Sequence, residues 1–65
     1  MRGAVERFET ASGLGEIVGS DGTIYPFHAT VIADGTRTIA VGTQVEFDVV
    51  PGHRGRWEAA AVTAA

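Results

Sequence analysis

The chain has no cysteine, no lysine and no asparagine, and its rings amount to three Phe, one Tyr and one Trp in 65 residues. Without cysteine, neither a disulfide nor a thiolate-bound metal can stiffen the fold, so a hydrophobic core has to hold it together alone. That is demanding, because a domain of about 60 residues buries only ~60% of the surface its unfolded chain exposes. Without lysine there is no phosphate-binding loop, and Gly13-x-Gly15 lacks the third glycine and the following helix of a dinucleotide site. No apolar run approaches the roughly 18 residues of a membrane-spanning helix, and Met1-Arg2-Gly3-Ala4-Val5-Glu6 does not open like a signal peptide. The expectation is a soluble, cytoplasmic protein. His28 and His53 stand at no ligand spacing, so no metal and no cofactor is expected, and the chain does not read as an enzyme.

Charge constrains the possible partners. Five arginines against eight carboxylates leave a net charge of -3, whereas a general nucleic-acid binder shows a basic footprint that recruits phosphates by counterion release. Binding to a polyanion would have to use a local patch. The planar fork of arginine suits it to that task better than a point charge, because it grips a phosphate with two parallel hydrogen bonds.

What is present is regular punctuation. Turn signals stand at Ser12-Gly13, Asp21-Gly22, Asp34-Gly35, Val41-Gly42 and Pro51-Gly52, with Gly55 close behind. Between them lie short β-prone runs: Gly3 to Phe8, Leu14 to Val18, Thr23 to His28, Val45 to Val49 and Trp57 to Thr63. In Val45-Glu46-Phe47-Asp48-Val49 strict alternation puts Val45, Phe47 and Val49 on a buried face and the two acids in water. The alanines of the last run have helical propensity but no cap, and tertiary pairing is expected to make them a strand. Five short strands in an open sheet would leave long unpaired edges, which closure removes. The expected fold is therefore all-β, a small five-stranded antiparallel barrel of the OB type forming a single domain over residues 1–65. The first three strands form a meander, the long irregular stretch Ala29 to Thr43 follows, and a hairpin joins the last two.

In order and spacing, Gly3-Ala4-Val5-Glu6-Arg7-Phe8, Gly13-Leu14-Gly15-Glu16-Ile17, Tyr25-Pro26-Phe27-His28-Ala29, Gly35-Thr36-Arg37-Thr38-Ile39, Gly42-Thr43-Gln44-Val45-Glu46-Phe47 and Val62-Thr63 resemble successive motifs of the cold-shock domain family. Those read Gly-x-Val-Lys-Trp-Phe, Gly-Phe-Gly-Phe-Ile, Val-Phe-Val-His-Phe, Gly-Phe-Lys-Thr-Leu, Gly-x-x-Val-x-Phe and Val-Thr. The resemblance covers essentially the whole chain and implies binding of single-stranded RNA or DNA through rings that stack bases, each worth ~1–3 kcal/mol. Here most of those rings are exchanged. The family's tryptophan is Arg7, the two phenylalanines of the glycine motif are Leu14 and Glu16, the loop phenylalanine is Thr36, and Ala29 follows the histidine. Glu6 replaces a lysine, and Pro26 stands where a stacking ring would, unless a bulge at the proline brings Tyr25 there.

The resemblance leaves Arg7, Phe8 and His28 on the expected face, with Arg37 arriving from the long loop. A second cluster, His53-Arg54-Gly55-Arg56-Trp57, sets Arg54 and Arg56 beside the one tryptophan, where a cation and an indole can hold a phosphate and stack the adjacent base. Each residue also has a plainer reading: Phe8 as packing, Arg7 paired with Glu6 or Glu9, His28 as a solvated strand residue, and Trp57 as a cap on the barrel end. The expected function is weak or altered single-strand binding. The competing one is a barrel that binds a basic protein partner through Glu6, Glu16, Glu46 and Asp48. A monomer and an edge-paired dimer are both compatible with the sequence.

Overall fold

The strand runs expected from alternation are all present. The computed structural model describes residues 1–52 and 55–65, and in it β1 spans Arg2–Glu9, β2 Leu14–Gly19, β3 Ile24–His28, β4 Gln44–Pro51 and β5 Trp57–Ala64. They form one sheet in the order β3-β2-β1-β4-β5, with every neighbouring pair antiparallel. The stretch between β3 and β4 contains a single 3-10 turn, Ala29–Val31, which nothing in the hydrophobic pattern foretells. Its cap does: His28 precedes it in an extended conformation and its side chain accepts from the Thr30 N–H, the local competition by which polar side chains start turns.

Two bulges re-aim the side chains. In β1, Val5 faces Ile17 and Arg7 faces Glu16, so Glu6 is an extra residue and the pleat shifts by one. Val5 and Phe8 then share the inner side although they are three apart, which strict alternation forbids. In β5, Thr63 faces Glu46 and Ala60 faces Asp48, so the extra residue lies on β5. Ala61 there takes φ +50, a left-handed conformation that L-residues other than glycine adopt at a cost.

The core is continuous across the sheet: Val5, Ile17, Tyr25, Phe27, Val45, Phe47, Ala59 and Val62 from the strands, with Ala29 and Ile32 from the connection. Ile17, Val5, Val45 and Val62 are fully buried, each stabilising the fold by about 1.5–3 kcal/mol relative to exposure. Tyr25 and Phe47 meet with ring centroids 5.4 Å apart at 57°, and the Tyr25 hydroxyl donates to Asp21 Oδ2 at 2.6 Å. That bond satisfies the phenol's polar end. It holds the Asp21 carboxyl below its ordinary value, helped by the Thr23 N–H, and pushes the Tyr25 hydroxyl up.

Closure differs from the expectation of a fully paired barrel. The sheet curls until its edge strands face each other, but among the described residues β3 and β5 share no ladder. The link is a parallel bridge between Ile32 and Val62, with the Ala33 N–H donating to the Val62 carbonyl at 2.8 Å. Pro26 in the middle of β3 has no N–H to offer a partner, which confines it to an edge, and the chain leaves β3 for the 3-10 turn at Ala29. The gap that remains positions the site described next.

Candidate nucleic-acid interface

The outer face of β1, β2 and β3 is built from the residues that alternate with the core. Register sets Glu9, Leu14 and His28 in one row and Arg7, Glu16 and Pro26 in the next. Because β2 and β3 pair without a shift, Pro26 faces outward and Tyr25 inward, where it is buried; no bulge brings Tyr25 to the surface. Between these rows runs an inner row, Phe8, Gly15 and Phe27. There the two phenylalanine rings stack with centroids 5.9 Å apart, tilted by 15°.

Charge on this face is largely internally compensated. Arg7 Nε lies 3.7 Å from Glu16 Oε1, so its carboxylate comes from across the strand rather than from Glu6 or Glu9. At the sheet's other end Arg2 Nε donates to Glu46 Oε1 at 2.9 Å. Both arginines are well exposed, so each pair is worth little in stability, but each carboxylate offsets a cation that a phosphate would otherwise use. His28 is exposed; its Nδ1 accepts from the Thr30 N–H at 3.2 Å, and its ring packs against Gly13, where a β-carbon would stand 3.1 Å from Nε2.

Of the remaining candidates, Arg37 sits in the long loop in a left-handed conformation, φ 58. It follows a turn in which Asp34 Oδ1 accepts from the Thr36 N–H and hydroxyl, bonds that lower the Asp34 pKa. Arg56 is exposed. Trp57 is 57% exposed and faces Pro51 across the β4–β5 pair. By alternation it shares the side of buried Ala59, past the rim of the core, while Glu58 takes the outer side. His53 and Arg54 lie outside the described residues. The structure thus brings Arg7 and His28 onto one face, turns Phe8 inward against Phe27, and sets Arg37 and Trp57 in other elements.

The residue-by-residue geometry agrees with the comparison of whole sequences. The family model described as the 'Cold-shock' DNA-binding domain matches residues 1–65. The chain belongs to the cold-shock domain family. It is 40% identical over 55 residues to "Cold shock-like protein CspD" of Vibrio cholerae, covering 82% of this chain and 72% of that protein. With "Cold shock-like protein CspC" of Bacillus cereus it shares 38% over 56 residues, 85% of this chain and 86% of the relative. With "Cold shock protein 1" of Arabidopsis thaliana it shares 34% over 64 residues, 95% of this chain but 21% of that longer protein.

Against the cold-shock pattern, the outer face keeps its frame and changes its surface. Leu14 at 55% exposure and Pro26 provide apolar area without a π-system, and Glu16 places a carboxylate at the centre. Sequence reasoning did not single out Glu58, which lines one groove with Leu14, Pro26, Phe27 and His28. The signal available was its alternation with Ala59, but only the approach of β5 to β3 gives that parity a meaning. Among the described residues there is no group of three or more His, Asp or Glu side chains placed to hold a metal, and no helix long and apolar enough to cross a membrane.

Proposed function

We propose that this protein binds single-stranded RNA or DNA weakly, through the outer face of β1 to β3, with a base preference altered from that of a ring-rich cold-shock surface. The observation that carries the reading is the make-up of that face: Leu14, Pro26 and His28 form an apolar, partly imidazole-lined surface of the right position, while Glu16 neutralises Arg7 beside it. Membership of a family described as DNA-binding supports the class of ligand. Losing several stacking contacts, each worth ~1–3 kcal/mol, supports the low affinity. Trp57, the one large exposed ring among the described residues, and Arg56 beside it supply a further contact at the barrel end.

The test is amide chemical-shift mapping with mixed-sequence single strands at low salt, repeated as salt rises. Shifts centred on the Arg7, Leu14, Glu16, Pro26-flanking and His28 amides, with a second group at Arg56 and Trp57, weakening with salt by a slope that reports a few phosphates, are the expected result. No shift with any strand at low salt would overturn the reading and favour a protein partner for the acidic strands.

A further inference from the structure

The later part of the connection between β3 and β4 is hydrogen-bonded to the barrel at two points. The Ala33 N–H donates to the Val62 carbonyl at 2.8 Å, the Gly42 N–H donates to the Val5 carbonyl at 2.8 Å, and the Thr43 carbonyl accepts from the Val5 N–H at 3.0 Å. Between those points, among the described residues, the segment 34–41 bonds only within the connection itself. It forms an arch over the end of β5, and beneath the arch lies a cavity of about 280 Å³.

The lining grades from an apolar floor to a polar rim. Val62 and Ile32 are buried and Ile39 is half-buried, whereas Asp34 and Thr38 are exposed. Asp34 is the one charged side chain among the described residues of the lining. Its Oδ1 accepts from the Thr36 N–H at 3.0 Å and from the Thr36 hydroxyl at 2.8 Å, the local turn by which an aspartate fixes its own carboxylate. Among the described residues, Oδ2 is left without a hydrogen bond, and so is the Thr38 hydroxyl.

We propose that this cavity binds a small primary alkylamine as its ammonium ion, with the alkyl chain over Ile32, Ile39 and Val62 and the head group on Asp34 Oδ2 and the Thr38 hydroxyl. The site shares no residue with the outer face of β1 to β3 and stands independently of single-strand binding. Charge selects the sign: a carboxylate ligand would meet Asp34 as a like charge with no cation in the lining to offset it. Among cations, a guanidinium is a planar fork that pairs with both oxygens of a carboxylate, and Oδ1 is already taken. An ammonium has three rotatable donors and no acceptor, so one free carboxylate oxygen and one hydroxyl suffice. The aliphatic floor disfavours a second charge, which selects a monoamine over a diamine. The volume lies just below the roughly 300–1,000 Å³ of pockets for larger ligands, leaving room for a chain of a few methylenes. A lysine side chain of a protein carries the same chemistry, but its backbone would have to seat on the arch; the free amine has no such requirement.

Amide chemical-shift titration of the intact domain with pentylamine, pentanol, pentanoate, methylamine and a lysine capped at both ends tests this. Pentylamine is expected to shift the Ile32, Asp34, Thr38, Ile39 and Val62 amides. Pentanol should reach the same amides roughly fivefold more weakly, as a neutral hydrogen bond replaces a charged one. Pentanoate and methylamine should leave them unmoved, and the capped lysine should bind more weakly than pentylamine. Asp34→Asn keeps an oxygen for the turn, and it is expected to lower pentylamine to the level of pentanol while pentanol binds as before, which shows the cavity intact. The wild-type titrations decide without the variant. Equal affinity for pentylamine, pentanol and pentanoate, or an equal response to methylamine, overturns the joint reading of chain and head group. A capped lysine that binds as tightly as pentylamine overturns the free amine in favour of a protein side chain, and no shift with any of the five overturns the site.

Discussion

Phe8 and Phe27, on strands that β2 separates in the sheet, stack across Gly15 with ring centroids 5.9 Å apart. Gly15 is what permits it: a β-carbon there would stand 2.6 Å from Phe27 Cζ and 2.8 Å from the Arg7 carbonyl oxygen. Gly15→Ala therefore overpacks the inner row and is expected to destabilise the domain by about 1–3 kcal/mol, read as a fall in thermal midpoint. An unchanged midpoint would mean that the inner row relaxes freely.

Ala61 is the converse case. It occupies a left-handed conformation, φ +50, in the β5 bulge, and its side chain is exposed. Ala61→Gly relieves a conformational cost of about 1–2 kcal/mol but adds unfolded-state entropy of roughly 0.5–1 kcal/mol. The expected net gain is up to about 1.5 kcal/mol in chemical denaturation, and Ala61→Val is expected to lose stability.

The Asp21–Tyr25 bond makes stability depend on pH at both ends. Because hydrogen bonding to Tyr25 and Thr23 lowers the folded pKa of Asp21, its contribution is complete above the unfolded value near 3.9. It is lost as pH falls through the folded value. The Tyr25 pKa is raised, first by Asp21, so that contribution is complete below about pH 10 and is lost as pH rises beyond it. Asp21→Asn, which keeps an acceptor oxygen without the charge, is expected to flatten both limbs of a plot of thermal midpoint against pH.

Glu16 is the residue whose replacement should most change affinity. Glu16→Phe removes the partner of Arg7 and places a ring between Arg7 and Pro26 on the outer face. A stacking contact of ~1–3 kcal/mol corresponds to a gain of roughly five- to 150-fold for single strands, measured by anisotropy at fixed salt. No gain would show that the bound strand does not cross this row.

Trp57→Ala separates binding from packing. At 57% exposure the indole contributes little to the core, so the thermal midpoint is expected to move by only a few degrees. Strand affinity is expected to fall by about 1 kcal/mol or more if a base stacks there. A large loss of stability with unchanged affinity would instead make Trp57 a cap on the barrel end.

Much of this was legible in the chain. The run Val45 to Val49 announced its buried face, and Val45 and Phe47 are indeed in the core; the turn glycines separated the five strands within a residue or two of their ends. The site was less legible. Phe8 could face either way from sequence, and only the extra residue at Glu6 decides that it joins Val5 inside. Arg7 has acids on both sides in sequence, yet its partner is Glu16 from the neighbouring strand.

The sequence by itself determined the number, order and amphipathic sense of the strands, because alternation and turn chemistry are settled between residues a few positions apart. Tertiary structure alone decided which residues stand opposite each other, where the two bulges shift the pleat, and that β3 and β5 are unpaired with His28 and Glu58 lining one groove. Register depends on the fit of whole strands against a shared core, and one inserted residue exchanges inside for outside along everything that follows.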